Sequence, residues 1–213
     1  MHPNDRHIYL ASRSSRRREL LKQIGVSFEV LLLREGTQRA ADYDETPVPG
    51  ESPTEYVARV ARIKAQAGWS RLEQRHLMRF PVLAADTTVT MESKIFGKPT
   101  NREEAAAFLR ALSGKSHEVH TAVAVMFEAQ TEMALSTTQV HMRELGDQEI
   151  RQYVSSGEAL DKAGAYAIQG RGAVFIRSID GSYSSVMGLP LYETYQLLGK
   201  FGRAPLLTHA GRE

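Results

Sequence analysis

A short apolar segment near the start of the chain runs directly into a helix whose first turn is crowded with arginine. Residues 8–11 are typical of a strand, and the apolar spacing that follows predicts a helix over 14–24, ended by Gly25. Three arginines at 16–18 oppose the positive end of the helix dipole, which favours an anion at this position. Serine hydroxyls and the free N–H groups of the first turn would complete a phosphate cradle. A basic, solvated helix start is the alternative that these residues leave open.

Composition excludes several classes of protein. The 213 residues, 42% of them hydrophobic and 24% charged, predict a soluble chain long enough for one sizeable core or two small lobes. A formal net charge of +2 is too small for a nucleic-acid-binding surface, so a basic site must be local. The absence of cysteine excludes disulfides, thiol catalysis and cysteine zinc sites. No segment matches a signal peptide or a membrane span, so a cytoplasmic protein without membrane or nucleic-acid partners is expected.

Strand-like and helix-like segments alternate along the rest of the chain, with no repeat of fixed period. This alternation is typical of an α/β protein. Further strands are predicted over 28–33, 81–85, 89–91, 95–96, 119–125, 138–142 and 173–179. Further helices are predicted over 53–68, 102–112, 147–155 and 190–201. The polar segment 34–50 is predicted to be a loop, and the glycine-punctuated segment 157–170 is too irregular for a helix.

Two of these elements hold charged residues in unusual places. Ser52-Pro53-Thr54-Glu55 is a capping box with proline at the first helical position. On the helix that it opens, Lys64 shares the inward apolar stripe, where a lysine needs a partner. Asp86 follows the apolar run 81–85 and is expected at the carboxyl end of a buried strand, the edge at which open α/β sheets bind ligands.

Carboxylates and cations of these segments together suit one reaction. Oxygen ligands for Mg²⁺ or Mn²⁺ are offered by Asp86 and by the loop acids Asp42, Asp44 and Glu45. Cations that suit a chain of phosphates are Arg16, Arg17, Lys64 and Lys98. Converging on one cleft, such groups would let a metal-bound water lose its proton to a carboxylate and attack a phosphoanhydride. Each residue alone also fits a structural role, as a strand-end aspartate or as a lysine that reaches solvent.

Other classes of site find no support in the sequence. The chain contains neither a P-loop nor a GxGxxG fingerprint, and it lacks the Gly-x-Ser-x-Gly elbow of serine hydrolases. His117 and His120 are three apart on a predicted strand and therefore face opposite sides, so a zinc site is not expected. Eight tyrosines and one tryptophan form no aromatic platform for nucleic acid.

An ordered set of short motifs over about residues 8–201 resembles the Maf family. The matching motifs are Leu10-Ala11-Ser12-x-Ser14-x-Arg16-Arg17-x-Glu19-Leu20-Leu21, Asp44-Glu45-Thr46-Pro47, Arg59-x-Ala61-x-x-Lys64-Ala65, Ala85-Asp86-Thr87, Gly97-Lys98-Pro99, Leu112-Ser113-Gly114, Asp161-Lys162-Ala163-Gly164-Ala165-Tyr166-x-Ile168-Gln169-Gly170 and Gly188-Leu189-Pro190. A set in this order is far more specific than any one of its members.

The resemblance implies a nucleoside triphosphate pyrophosphatase. Such an enzyme splits the α-β phosphoanhydride with a divalent metal and releases a nucleoside monophosphate and pyrophosphate. The implied fold is α/β, with a mixed central sheet, flanking helices and two lobes around a cleft, as in inosine triphosphatases (the Maf/Ham1 fold). A single Maf-like domain over 1–213 with loose ends at about 1–6 and 203–213 is expected, and in many members a homodimer.

The resemblance also assigns roles to individual residues. Asp86 matches the catalytic proton acceptor, with Lys64 and Lys98 beside it, and Asp86 and Glu45 match the metal site. The residues that match substrate-binding positions are Ser12, Arg16, Arg17, Thr87 and Gln169. Of these, Arg16, Thr87 and Gln169 resemble the branch that hydrolyses dTTP and UTP rather than 7-methyl-GTP. A buried glutamine amide can donate to and accept from a uracil or thymine edge, and such polar pairing discriminates strongly.

Two departures from the family pattern affect these assignments. Ser15 stands where the family usually has proline, and serine is a fair helix cap, so the phosphate loop is expected to survive. The segment between Phe28 and Glu45 is longer than usual, so Glu35 competes with Glu45 as the acidic partner of Asp86. The distance from the capping box favours Glu45.

A function of a different class stays open at this point. A regulatory protein that holds a nucleotide or a partner in cell-division control, without essential catalysis, would need the phosphate cradle but not the acid. Loss of Asp86 would then leave its activity intact. The enzyme reading is favoured because the acid, the lysines and the arginines occur together in one ordered set.

Overall fold

The computed structural model describes residues 7–34 and 41–205, and the bounds below refer to those residues. The strands are β1 (Ile8–Leu10), β2 (Phe28–Val30), β3 (Val82–Met91), β4 (Lys94–Phe96), β5 (Ser116–Phe127), β6 (Gln130–Met142) and β7 (Ile176–Asp180). The helices are α1 (Ser15–Gln23), α2 (Pro53–Gln74), α3 (Arg102–Leu112), α4 (Asp147–Ser155), α5 (Tyr183–Met187) and α6 (Leu191–Lys200). Of the predicted loose ends at 1–6 and 203–213, residues 1–6 and 206–213 lie outside the described residues, whereas the Arg203 N–H donates to the Leu198 carbonyl at 2.8 Å.

One mixed sheet joins all of these strands in the order β2-β1-β3-β5-β6-β7, with β4 paired to β3. β1 runs parallel to β2 and β3, whereas β3, β5, β6 and β7 pair antiparallel. The predicted α/β class with a mixed central sheet and flanking helices is therefore confirmed. The predicted pairing of 138–142 with 119–125 is also confirmed, since Val119 lies opposite Thr138.

Asp86 lies in the middle of a ten-residue strand, so the prediction that its strand ends there is wrong. The parallel partner β1 ends first, because its last residue Leu10 lies opposite Leu83. From Asp86 onwards β3 keeps β5 on one side, where Asp86 lies opposite Ala122. Beyond the end of β1 the sheet therefore opens. A ligand can reach Asp86 through this opening, as it would at the end of a strand.

Helix α2 continues six residues past Gly68, so the predicted end of the helix at that residue is wrong. A Cβ built on Gly68 would lie 2.7 Å from Val82 Cγ1 and 3.2 Å from Ala11 Cβ. The glycine thus allows α2 to approach β1 and β3 closely and does not end the helix. This contact fixes the height of α2 above the sheet, and with it the position of Lys64 one turn earlier.

Other differences concern strand lengths and one short helix. β2 is three residues rather than six, β5 extends beyond both predicted ends, and the predicted strand 173–179 begins only at Ile176, after a 3-10 turn. Helix α5 was not predicted, because its five residues are too few for an apolar period. Helices α3 and α4 match their predicted bounds.

Buried side chains form three clusters around the sheet. One lies between α2 and the sheet, the second between the sheet and helices α1 and α6, and the third under α3 and α4. Val57, Val60, Ala61 and Lys64 are all buried on α2, which confirms the predicted inward stripe. Within the described residues, no helix combines the length and the apolar character that a membrane crossing requires.

His117 and His120 face opposite sides of β5, as their spacing predicts. His117 is 1% exposed and its Nε2 lies 2.7 Å from the Tyr166 hydroxyl, whereas His120 contacts Thr90 at 3.0 Å. Burial lowers the pKa of His117 from 6.5 to about 4. The folded protein therefore holds this ring neutral at pH values where the unfolded chain has already protonated it.

This difference predicts a pH-dependent stability. Because the unfolded state binds the proton more tightly, the contribution is present above pH 6.5 and is lost as the pH falls towards 4. We expect a loss of roughly 2–3 kcal/mol in the free energy of unfolding between pH 7 and pH 4.5 from this ring. Urea denaturation at both pH values should show a shallower pH dependence in His117→Gln than in the wild type. Exposed His76→Asn serves as the control, and equal slopes in all three proteins would contradict the assignment.

Candidate active site

A cavity of about 300 Å³ opens where β1 ends beside β3. Its walls come from the β1–α1 connection, from α2 and β3, from the connection after β4, and from the segment 161–169. Val89 and Val119 of the third core cluster also line it, so the cavity reaches the part of the core that lies under α3 and α4. Eight of the predicted site residues line it together, namely Ser12, Arg16, Arg17, Lys64, Asp86, Thr87, Lys98 and Gln169.

The β1–α1 connection holds Arg17 in a fixed position. Ser14 caps α1 by accepting the N–H of Arg17 at 3.4 Å. The Arg17 guanidinium donates to Ser12 Oγ at 3.1 Å and, through Nε, to the Gly188 carbonyl at 2.8 Å. Burial lowers the pKa of Arg17, and the nearby Asp86 carboxylate offsets part of that effect. The helix start that the sequence marks as basic therefore presents a preorganised cation to the cavity.

Lys64, which lines the cavity together with Asp86, joins two carboxylates, of which Glu45 does not line the cavity. Its Nζ lies 2.8 Å from Asp86 Oδ1 and 2.5 Å from Glu45 Oε1, and it is 5.4 Å from the centre of the Tyr43 ring. The Lys64 and Asp86 side chains are 11% and 14% exposed, whereas Glu45 is 41% exposed. Lys64 thus has the partner that an inward lysine needs. The competing acid Glu35 lies outside the described residues.

The negative charges of Asp86 and Glu45 also act on Tyr56, a neighbouring residue of α2. Burial raises the pKa of Tyr56 to about 12, and the charges of Asp86 and Glu45 add to that effect. Tyr56 is therefore a neutral phenol at physiological pH. Neighbouring loop acids have other roles: Asp44 accepts from Thr46, and Asp42 pairs with Arg34 and Arg71, outside the cavity.

Thr87 is held by a chain of hydroxyl groups that starts in the core. The hydroxyl of buried Thr121 donates to the Ser185 carbonyl at 2.8 Å. Since that hydroxyl has one proton, it must accept from Thr87 Oγ1, 3.0 Å away. Arg17 Nη2 approaches Thr87 Oγ1 at 3.4 Å. The Thr87 hydroxyl therefore presents only an acceptor to a ligand in the cavity.

Lys98 is exposed on the rim of the cavity, in the connection between β4 and α3. The Gly164 N–H donates to the carbonyl of Gly97 at 3.2 Å, which fixes the backbone beside Lys98. Gly164 has a φ of 70°, and a Cβ built on it would lie 3.0 Å from a Val89 methyl group. Glycine is required at position 164 because of this close approach. The segment 163–165 therefore holds the backbone beside Lys98 in place.

Two predicted nucleotide-binding residues differ from expectation in their environment. Gln169 lines the cavity but is exposed, so the prediction of a buried amide is wrong. It lies at the tip of a tight turn, where a ligand rather than the core would cover it. Arg16 is 22% exposed at the side chain and has Asp161 3.9 Å from its Nη1. A substrate anion would compete with that exposed carboxylate for Arg16.

Sequence reasoning did not assign roles to several residues that line the cavity. Lys162 is the most informative, because its Nζ donates to Asp161 Oδ1 at 2.5 Å and to the Glu158 carbonyl at 2.8 Å. Tyr43 and Tyr166 also line it. The charged pair at 161–162 inside a glycine-punctuated segment was the available signal, since charges in such a segment need a partner or a ligand.

Comparisons with known proteins identify the family of this chain. The family described as Maf-like protein matches residues 7–201. The chain belongs to this family. The match includes every residue assigned to the cavity above, so the resemblance seen in the motifs extends over the whole site.

Relatives of this Maf-like protein share one name. A protein of Nitrosomonas europaea is 57% identical over 92% of this chain and 94% of its own length. A protein of Nitrosospira multiformis is 59% identical over 91% and 94%, and one of Dechloromonas aromatica is 52% identical over 93% and 99%. All three are named dTTP/UTP pyrophosphatase. The Ham1 protein structure from Staphylococcus aureus is similar at a TM-score of 0.41 and 16% identity, over 64% of this chain and 71% of that one.

Proposed function

We propose that this Maf-like protein is a nucleoside triphosphate pyrophosphatase that hydrolyses dTTP and UTP to the monophosphate and pyrophosphate. The observation that carries the proposal is the group of Lys64, Asp86 and Glu45 at one end of a cavity that Arg17 and Lys98 also line. A carboxylate with access to water, opposite several cations, is what hydrolysis of a phosphoanhydride needs. The names of the relatives support the substrate class.

In the proposed reaction Asp86 takes a proton from a water molecule whose oxygen attacks the α-phosphorus of the triphosphate. The P–O bond to the leaving group breaks, and pyrophosphate departs with the bonding electron pair. Arg17, Lys64 and Lys98 stabilise the negative charge that develops on the phosphate oxygens. Arg17 is suited to this task because its hydrogen bonds to Ser12 and Gly188 fix the guanidinium before the substrate arrives.

Asp86 and Glu45 fit a divalent metal bound together with substrate. Both carboxylates contact the same Lys64 nitrogen, so they lie close enough for one ion to meet both. Within the described residues no group of three or more acidic, histidine or cysteine side chains is assembled to hold a metal. Mg²⁺ and Mn²⁺ accept such a site, because one or two carboxylates and the phosphates of the substrate complete their coordination. The ion would supply charge neutralisation and a more acidic water.

Thr87 and Gln169 carry the proposed choice of base. A uracil or thymine ring offers an N–H at position 3, and Thr87 presents only an acceptor. The exposed Gln169 amide at the rim can both donate and accept at the edge of the same ring. Cytosine has an acceptor at position 3, which would face the Thr87 oxygen without a proton between them.

Purified protein tests the function against a panel of nucleoside triphosphates. With Mg²⁺ or Mn²⁺, dTTP and UTP should release pyrophosphate with a higher kcat/KM than CTP, ATP, GTP and 7-methyl-GTP. Release of single phosphates, or no release from any triphosphate, would refute the proposal. The regulatory alternative is not favoured, because it gives no role to the Asp86–Lys64–Glu45 group. A homodimer and a cytoplasmic location stay predictions.

Thr121 provides a test of base choice from outside the cavity. Thr121→Val removes the hydroxyl that takes the Thr87 proton, so Thr87 becomes able to donate to a ligand. We expect the ratio of kcat/KM for UTP to that for CTP to fall by about tenfold. Thr121→Ser keeps the hydroxyl and should keep the ratio. An unchanged ratio in Thr121→Val, or an equal loss in both variants, would contradict the role of this hydroxyl.

A further inference from the structure

The turn that carries Gln169 has its two ends fastened to residues outside the cavity. The Gly170 N–H donates to the Ala167 carbonyl at 3.2 Å, so residues 167–170 form a tight turn with Ile168 and Gln169 at its tip. Ala167, Ile168 and Gln169 line the cavity. Because Gln169 is exposed, packing around its own side chain does not determine where its amide lies. The backbone of the turn must do so.

Glu158 holds the far end of this turn. It follows α4, and its carboxylate accepts the Arg171 N–H at 3.1 Å, the Gly172 N–H at 3.2 Å and the Tyr153 hydroxyl at 2.9 Å. Burial alone would raise the pKa of Glu158, but these three donors outweigh it and hold the pKa below its usual range. The group is therefore an anion that two backbone N–H groups surround, and neither it nor Tyr153 lines the cavity.

Tyr153 holds the near end of the turn. Its hydroxyl donates to Glu158 and accepts the buried Ala167 N–H at 3.1 Å. The ring is 5% exposed and packs edge-on against Phe175 at 4.8 Å between centroids. Since the ring belongs to the third core cluster, this hydroxyl has little freedom to move. Both ends of the turn are thus tied to Tyr153 of helix α4 and to Glu158, three residues after the end of that helix.

Two glycines lie so close to the groups that hold the turn that no side chain would fit in their place. A Cβ built on Gly170 would lie 2.4 Å from a Glu158 carboxylate oxygen, and one on Gly172 would lie 2.9 Å from the Ala167 carbonyl. Gly170 therefore permits the close approach of the Glu158 carboxylate, and Gly172 permits the close approach of the Ala167 backbone. Lys162, which lines the cavity, donates to the backbone carbonyl of the same Glu158 at 2.8 Å.

We propose that Glu158 and Tyr153 are positioning residues for base recognition, which set the place of the Gln169 amide by clamping the turn 167–172. This proposal rests on the proposed function, since it supposes that the Gln169 tip meets the pyrimidine. The clamp contributes nothing to the Asp86–Lys64–Glu45 group. Its loss should therefore weaken substrate binding and base choice without slowing the chemical step.

Glu158→Gln tests the clamp with little change in volume. An amide offers one acceptor oxygen and places an NH₂ group against one of the two backbone N–H donors. For UTP we expect KM to rise by about fivefold or more, kcat to stay within about twofold, and the UTP-to-CTP ratio of kcat/KM to fall. Tyr153→Phe releases the Ala167 N–H at the other end and should act in the same direction. Glu149→Gln is the matched control, because the Glu149 carboxylate of α4 pairs with Arg143 and accepts no hydrogen bond from residues 167–172, all of which the structure describes.

Hydrogen exchange gives a readout that does not depend on catalysis. The amides of Arg171 and Gly172 should exchange at least about tenfold faster in Glu158→Gln than in the wild type and in Glu149→Gln. Unchanged exchange would overturn the clamp, as would a fall in kcat at constant KM in both variants. If Glu158→Gln fails to fold, Tyr153→Phe decides the question by the same measurements. If the wild type splits no triphosphate, the proposed function fails, while the exchange result still reports on the clamp.

Discussion

Asp86→Asn is expected to lower kcat for UTP by about 10²- to 10⁴-fold with the fold intact. Asparagine has the same shape and can still accept from Lys64 Nζ, which lies 2.8 Å from Asp86 Oδ1 in the wild type. It cannot take a proton from water. Because Lys64 keeps an acceptor, KM should change far less than kcat, and single-turnover pyrophosphate release with saturating UTP measures the difference.

The control for Asp86→Asn is another aspartate paired with a cation. Asp147 of α4 accepts from Arg110 at 2.8 Å on the surface, outside the cavity, so Asp147→Asn should keep full turnover. Thermal denaturation of both variants separates a catalytic loss from unfolding. Retention of more than about a tenth of the wild-type kcat in Asp86→Asn would remove Asp86 from the role of proton acceptor.

The sequence predicted most of the fold because local rules govern most of its elements. Helix α3 begins after the capping residue Asn101 and ends at Leu112, where the sequence places it. These local rules gave wrong bounds where a contact between residues far apart in the sequence determines the length of an element. Gly68 resembles a helix end in the sequence, but its role is the close approach to Val82, which no local pattern shows. Likewise, the length of β3 beyond Asp86 follows from its pairing with β5.

Several of the residues that line the cavity could be named from the sequence. The contacts that hold them in place could not. Lys64 could be singled out because a lysine on an apolar stripe needs a partner, and the structure supplies Asp86 and Glu45. The hydroxyl chain through Thr121 depends on the register of β3 against β5, which places Thr87 opposite Thr121. The clamp of Glu158 on Gly172 joins residues that the sequence separates by an irregular segment. Such contacts follow from tertiary packing, and no spacing rule gives them.

Lys64→Ala and Lys98→Ala are each expected to lower kcat for UTP by more than tenfold, and Lys64→Ala by about 10²- to 10³-fold. In the proposed reaction both variants lose a cation that faces the phosphates in the transition state. Lys64→Ala does more, because it also leaves the Asp86 and Glu45 carboxylates without the ammonium that they share. Two unscreened carboxylates repel the substrate phosphates and each other. Raising Mg²⁺ to saturation should therefore restore part of the loss in Lys64→Ala but not the full rate.

Lys94→Ala is the matched control for Lys98, since Lys94 lies four residues earlier, in the β3–β4 hairpin that leads to Lys98, and is exposed and outside the cavity. It stands over the Phe96 ring at 5.3 Å, so its removal tests the hairpin without touching the site. Steady-state pyrophosphate release, with thermal denaturation for each variant, should rank the rates as wild type and Lys94→Ala, then Lys98→Ala, then Lys64→Ala. Normal release by Lys64→Ala and Lys98→Ala would mean that the cavity does not hold the triphosphate. Equal losses in Lys94→Ala and Lys98→Ala would instead assign the effect to the hairpin, because only one of these two ammonium groups reaches the cavity.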